Sequence, residues 1–191
     1  LFTLCTYLIP VYLVLLLIQE YFHPVIYIIS SAVLLKLTFA VRGMEQASLR
    51  VTEALRGDDL YGARGHLSLI VRRDTSKLDR ELMLSATVES IGESTVDGIT
   101  STFFYFALLG VPGAIAFRVV NTLDSMVGYR DSENMNIGWF SAKLDSILNF
   151  IPARLTAGLM IVAASILGES RENSWRILKR DKGKTPSMNA G

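Results

Sequence analysis

Residues 101–120 read STFFYFALLGVPGAIAFRVV, an apolar stretch long enough to enter a bilayer but interrupted at its centre by Gly110, Pro112 and Gly113. Proline removes a backbone donor and crowds the preceding turn, and glycine frees the backbone, so the helical hydrogen-bond ladder is expected to break there. Each half is then about ten residues long, too short to cross roughly 30 Å of hydrocarbon. The segment is either a kinked spanning helix or a re-entrant hairpin whose break is buried in protein. A hairpin returns the chain to the face it left, whereas a spanning helix puts its two flanking sequences on opposite faces of the membrane.

The residues on either side make that choice matter for function. Behind the segment, RVVNTLDSMVGYR at 118–130 crowds Arg118, Asn121, Asp124 and Arg130 against apolar sequence. Such groups are costly beside lipid and usually mark a site. Ahead of it, ESIGESTVDG at 89–98 spaces Glu89, Glu93 and Asp97 four residues apart. The hairpin is favoured here, because a site containing both clusters accounts for more of the charge.

Further out, apolar segments run over about 1–18, 24–41 and 147–167. The first carries no charge and is expected to span. A signal peptide is disfavoured, since no basic leader precedes it and no A-x-A-like site comes after it. The second starts at Pro24, which suits a helix start, and holds Lys36, whose amine either snorkels to the interface or serves a site. The last places Pro152 and Arg154 in its opening turns, as fits an entry at the interface. Leu1 lies inside an apolar run and the last residues read SMNAG, so a fragment lacking both ends of a longer chain is expected.

Half of the 191 residues are hydrophobic and the net charge is +1. The expectation is an all-α integral membrane protein forming a single membrane domain, with a polar helical region at 42–98, a polar loop at 121–146 and a basic tail at 168–191. Balanced charge gives no case for nucleic acid. The lone Cys5 excludes an internal disulfide and a thiolate zinc site, and His23 and His66 form no metal motif. Within 42–98, Met44, Val51, Ala54 and Leu55 recur at helical spacing, and Gly57-Asp58-Asp59 ends that helix and starts the next, about 59–71. In RRDTSKLD at 72–79, Asp74, Thr75 or Ser76 is expected to cap the next helix. Eight Lys or Arg fall in 42–98 and six in 171–184, against two in 121–146. Both basic regions are therefore expected on the cytoplasmic side.

Glu89 and Glu93 share one helix face, with Asp97 near the same meridian. Clustered hard oxygens suit magnesium carried by a nucleotide phosphate, and a plain solvated acidic face is the alternative. Arg73, Arg118, Arg130 and Arg154 have the fork geometry that clamps phosphate or carboxylate. Gly183-Lys184-Thr185 imitates the end of a phosphate-binding loop, but Leu178 stands where the earlier glycine is required and no strand precedes it. Neither a nucleophile elbow, an H-E-x-x-H motif nor a dinucleotide fingerprint occurs.

Four motifs in order, RRDTSKLD at 72–79, ESIGESTVDG at 89–98, FFYFALLGVPGAIAFRVVNTLDSMVGYR at 103–130 and LDSILNFIPARLTA at 144–157, resemble the adenosylcobinamide-phosphate synthase family of cobalamin biosynthesis, the CobD/CbiB family. The tail RDKGKTPSMNAG at 180–191 resembles a further family motif, with Met188 where proline is common. The resemblance implies a multi-pass cell-membrane enzyme that joins a carboxylate of adenosylcobyric acid to 1-aminopropan-2-ol or its O-phosphate. ATP with Mg2+ would drive the reaction at a cytoplasmic-face site, and later cobalamin-pathway enzymes are possible partners. Under that resemblance Glu89, Glu93, Asp97 and Asp124 are the catalytic candidates, the first three also as magnesium ligands. Arg73, Asp74, Arg118, Asn121, Arg130 and Arg154 are the substrate or phosphate-binding candidates. A transporter and a non-catalytic membrane sensor are the competing classes; a transporter predicts an inverted repeat, and none is visible between the halves.

Overall fold

The structure, a computed structural model, describes residues 2–39, 41–127 and 135–181. Every regular element among them is helical, and the chain divides into two compact units, Leu1–Phe39 with Thr100–Gly191, and Ala40–Ile99. By length and composition Pro24–Arg56 and Arg80–Met126 are apolar enough to cross a membrane. The pair Gly138–Leu148 and Phe150–Ile166, bent by 46°, is a third if it forms one span. A helical multi-pass membrane protein fits these elements.

In the first unit, α1 (Phe2–Tyr21) and α2 (Pro24–Leu37) are apolar over most of their surface and leave Ile9, Leu13, Leu17, Ile28 and Val33 exposed. That suits contact with lipid better than with water. His23 is the N-cap of α2, its Nδ1 accepting from the Val25 amide at 3.4 Å, and Pro24 opens the helix. Pro24 loses nothing there, because a first-turn amide has no intrahelical partner. The stretch 121–146 is not the polar loop expected from its composition. Helix α6 (Ser101–Val127) continues through its first part and α7 (Met135–Leu148) occupies its last. After α7 the chain bends at Asn149 into α8 (Phe150–Ile166). That helix ends in a Schellman turn at Gly168, φ +83°, where the Glu169 amide returns to the Ala164 carbonyl at 2.9 Å, and α9 (Arg171–Asp181) comes next.

Helix α6 is two arms joined at Gly110, whose φ of 68° and ψ of −159° lie in a region that only glycine occupies readily. In an unbroken helix Tyr105 and Phe117 would stand about 18 Å apart along the axis. Their rings instead stack with centroids 5.4 Å apart and planes 12° from parallel. The arms therefore fold back on one another. Gly113 is what permits the approach: a Cβ there would lie 2.5 Å from the Tyr105 carbonyl oxygen and 2.5 Å from Leu109 Cβ.

The second unit packs α3 (Val41–Arg56), α4 (Leu60–Leu67) and α5 (Arg80–Thr95) around Val51, Leu55, Ala63, Leu67, Met83 and Ala86. The expected stripe on α3 holds for Val51 and Leu55, with Ala54 packed beside them. Asp58, not Gly57, takes the left-handed turn at the end of α3, with φ of 60°. Arg80 braces that end by donating to the Leu55 carbonyl at 2.7 Å and to Asp58 at 3.1 Å. The cap of α5 is Asp79, which accepts from the Leu82 amide at 2.9 Å. Asp74, Thr75 and Ser76 lie too early in the chain to take that role. A π-helical turn, Val96–Thr100, leads out of α5.

Candidate functional site

The first unit encloses a continuous chain of polar side chains. Ser101 Oγ donates to Asn149 Oδ1 at 2.5 Å, and Asn149 Nδ2 donates to Asp145 Oδ2 at 2.9 Å. From the other side Asn121 Nδ2 donates to Asp145 Oδ1 at 3.2 Å, while Arg118 Nη1 donates to Asn121 Oδ1 at 3.1 Å. Beside them the Tyr105 hydroxyl donates to the Leu148 carbonyl at 2.9 Å. Ser101 and Asn121 would be about 30 Å apart on a straight helix. The fold-back at Gly110 is what lets both reach Asp145, one of them through Asn149.

Ser101, Asn121, Asp145 and Asn149 are all buried. Burying such groups unpaired would cost several kcal/mol in total, at about 1–3 kcal/mol each. Here each one is satisfied by the next, and both oxygens of Asp145 are taken. Arg118 is half-buried and makes this one hydrogen bond and no ion pair among the described residues. Asp124 lies one turn beyond Asn121 and is half-buried. Arg154 turns back on its own helix instead, donating to the Phe150 carbonyl at 2.5 Å with its guanidinium 3.5 Å above the Phe150 ring. Arg130 lies outside the described residues, as do residues 182–191 of the tail motif.

Asp145, Asn149, Ser101 and Tyr105 were not among the residues singled out from sequence. The signal for two of them was available, since Asp145 and Asn149 stand four apart in LDSILNF and so share a helix face.

The acidic trio belongs to the second unit. Glu89 forms an ion pair with Arg73, both exposed. Glu93 is exposed, and Asp97 sits in the π-turn, where the wider i→i+5 spacing interrupts the periodicity that would align it with the other two. Among the described residues no three His, Cys, Asp or Glu side chains converge as a metal site.

The 72–79 loop is held from α4. Arg64 donates through Nε and Nη2 to the Leu78 carbonyl at 3.1 and 3.0 Å, and its own carbonyl accepts from Thr75 Oγ1 at 3.1 Å. Asp74 Oδ1 accepts the Ser76 amide at 2.9 Å, forming an Asx turn. That amide, and next the Ser76 side chain, hold the Asp74 carboxyl below the ordinary aspartate range. The exposed Arg72, Arg73 and Lys77 thus project from a loop tied to α4 near its middle and its end.

A family model described as CobD/Cbib protein matches residues 1–191. The chain is 48% identical over 182 residues to a protein named probable cobalamin biosynthesis protein CobD from Methanothermobacter thermautotrophicus, covering 95% of this chain and 61% of the relative. It is 47% identical over 191 residues to cobalamin biosynthesis protein CobD from Dehalococcoides mccartyi, covering 100% of this chain and 61% of the relative. With the protein of that name from Synechocystis it shares 41% identity over 182 residues, 91% of this chain and 52% of the other. The chain thus spans roughly three fifths or less of the length of these curated relatives. No solved structure matches it.

Proposed function

Because the chain belongs to the CobD/CbiB protein family, we propose that it acts in cobalamin biosynthesis as part of an ATP-dependent amide ligase. The substrates would be adenosylcobyric acid and 1-aminopropan-2-ol or its O-phosphate. The single structural observation that carries the reading is the buried relay ending in Arg118, a half-buried cation to which the described residues offer one hydrogen-bond acceptor, the Asn121 amide oxygen.

The chemistry needs such a group. A carboxylate is a poor electrophile; transfer of the terminal phosphoryl group of ATP to its oxygen releases ADP and gives an acyl phosphate. The free amine then attacks the acyl carbon, inorganic phosphate leaves, and the ammonium proton passes to a base. Arg118 stabilises phosphate or the developing oxyanion, with Arg73 and Arg130 as further phosphate partners. Asn121 and Asp124 orient the amino alcohol. Glu89, Glu93 and Asp97 accept the ammonium proton or meet a magnesium ion that arrives with the nucleotide. Among the described residues the acids do not converge on a resident magnesium.

The same proposal places the protein in the cell membrane as a multi-pass chain with its site on the cytoplasmic face, by the excess of Lys and Arg in 42–98 and 171–184. It treats α6 as re-entrant, which is supported by Ser101 and Asn121 both reaching the Asp145–Asn149 pair. The corrinoid product would be handed to later enzymes of the cobalamin pathway.

The experiment is conversion of adenosylcobyric acid by the full-length protein in detergent, with ATP and each amine offered separately. Amide product formed only with ATP is the expected result, and the amine that supports it names the substrate. No product with either amine, from protein with a cooperative melting transition, overturns the ligase.

A further inference from the structure

The relay in the first unit has a direction. Arginine carries only donors and a carboxylate only acceptors. Asn121, between Arg118 and Asp145, is therefore restricted to one orientation, amide nitrogen toward Asp145 Oδ1 and amide oxygen toward Arg118 Nη1. Turned over, it would set donor against donor at the guanidinium and oxygen against oxygen at the carboxylate. In the second branch Asp145 Oδ2 fixes the Asn149 amide in the same way, and the Ser101 hydroxyl that closes it rotates to donate.

We propose that Asp145 is a positioning residue which, acting through Asn121, aims the Arg118 guanidinium at an anionic oxygen of the substrate. This rests on reading Arg118 as the anion-holding group. Asp145 is 9% exposed, and the hydrogen bonds to both its oxygens come from neutral amides. Among the described residues its charge meets a cation only across Asn121. Among the described residues Arg118 in turn has one hydrogen bond to set its direction, so whatever fixes the Asn121 amide fixes where the remaining donors point. Asp145 does not touch the anion. It holds the residue that holds the residue that does.

The anion is a phosphate of ATP or the phosphate of the amino alcohol, and separate titrations distinguish them. KM for ATP and for 1-aminopropan-2-ol O-phosphate is measured in full-length wild type, R118A, D145A and R118A/D145A. R118A is expected to raise the KM of the substrate it holds by about ten- to a hundredfold, as loss of a charged hydrogen bond does. D145A raises the same KM by less, with kcat less affected, and this effect vanishes in the R118A background. Effects that multiply instead overturn the positioning role. An R118A variant with both KM values and kcat unchanged overturns the anion-holding reading itself.

D145A leaves two buried amides without an acceptor, so the exchange N121D/D145N is measured beside it. The exchanged carboxylate at position 121 accepts from Arg118 and from the exchanged amide at 145, whose oxygen still accepts from Asn149. Donor and acceptor alternate as before. The exchange is expected to reverse most of the rise in KM caused by N121D alone, where two carboxylates face each other. An exchange variant that melts with the wild type yet keeps the raised KM overturns the proposal.

Discussion

Replacing Gly113 with alanine tests the fold-back of α6 by the sign of its effect. On a straight or gently kinked helix this is a glycine in a helix interior, and alanine is expected to stabilise it by about 0.5–1 kcal/mol. On the folded-back arms the new Cβ would sit 2.5 Å from the Tyr105 carbonyl oxygen and 2.5 Å from Leu109 Cβ. Neither neighbour is the free end of a flexible side chain; one is backbone and the other is a branch root. Relief therefore requires the arms to part. Overpacking of that kind costs about 1–3 kcal/mol, so with the helical gain subtracted a net loss of up to about 2.5 kcal/mol is expected. For a chain of this size that is a fall in melting temperature of up to about 10 °C, against a rise of about 1–4 °C for the straight helix. The assay is thermal unfolding of the full-length protein in one detergent. Gly110→Ala is expected to fall as well, by about 1–3 kcal/mol, since its backbone lies where only glycine is at ease. A second readout is independent of stability. With Cys5 replaced, Y105C and F117C are joined by a bifunctional thiol reagent too short to reach the roughly 18 Å of a straight helix. A Gly113→Ala variant that melts higher, together with no crosslink, refutes the fold-back.

Arg64→Ala removes the fork on the Leu78 carbonyl and should speed hydrogen exchange of the 72–79 amides while α3 and α5 remain protected; Arg64→Lys restores only part of that protection, because a single amine cannot supply the paired donors. Unchanged exchange in Arg64→Ala would show that the loop does not depend on α4. Glu93→Gln is expected to abolish ligation while leaving membrane insertion intact, and normal turnover by that variant removes Glu93 from the site. For Asp74 the sign is that of a depressed acid: its carboxylate supports the Asx turn above the pKa it has in the unfolded chain, and that support is lost as pH falls through the lower folded value. Protection of the Ser76 amide, followed by NMR, should therefore fall in acid in the wild type and show no such step in Asp74→Asn.

The glycine and proline break at 110–113 could be read from the sequence because those residues act locally, whatever surrounds them. How sharply the chain turns there could not be read, because it depends on Gly113 meeting a carbonyl eight residues earlier, a contact outside any helical period. The i, i+4 argument for Glu89 and Glu93 placed both on α5, and it stopped at Asp97 because a π-turn changes the period without a residue type that announces it. Arg73 reached Glu89 across a sixteen-residue separation, a pairing set by how α5 returns past its loop rather than by spacing. Composition erred over 121–146, where it suggested a polar loop and the chain is instead helical on both sides of 128–134.

That error has a physical cause which also explains the site. In an aqueous loop polar residues are satisfied by water and carry little positional information. In an apolar unit each must be satisfied by protein, and leaving one unpaired costs about 1–3 kcal/mol. Asn121, Asp145, Asn149 and Ser101 meet that demand with one another, so their hydrogen bonds double as restraints between the two arms of α6 and the bend between α7 and α8. The stacked pair Tyr105 and Phe117 restrains the same arms through apolar contact. Loosening either set should therefore disturb the other, and the aim of Arg118 is the quantity that reports both. A Phe117→Leu variant, apolar but unable to stack, is expected to raise the same KM as D145A and to leave the polar residues untouched. An unchanged KM there, with the ring pair lost, would mean that the relay holds Arg118 without help from the fold-back.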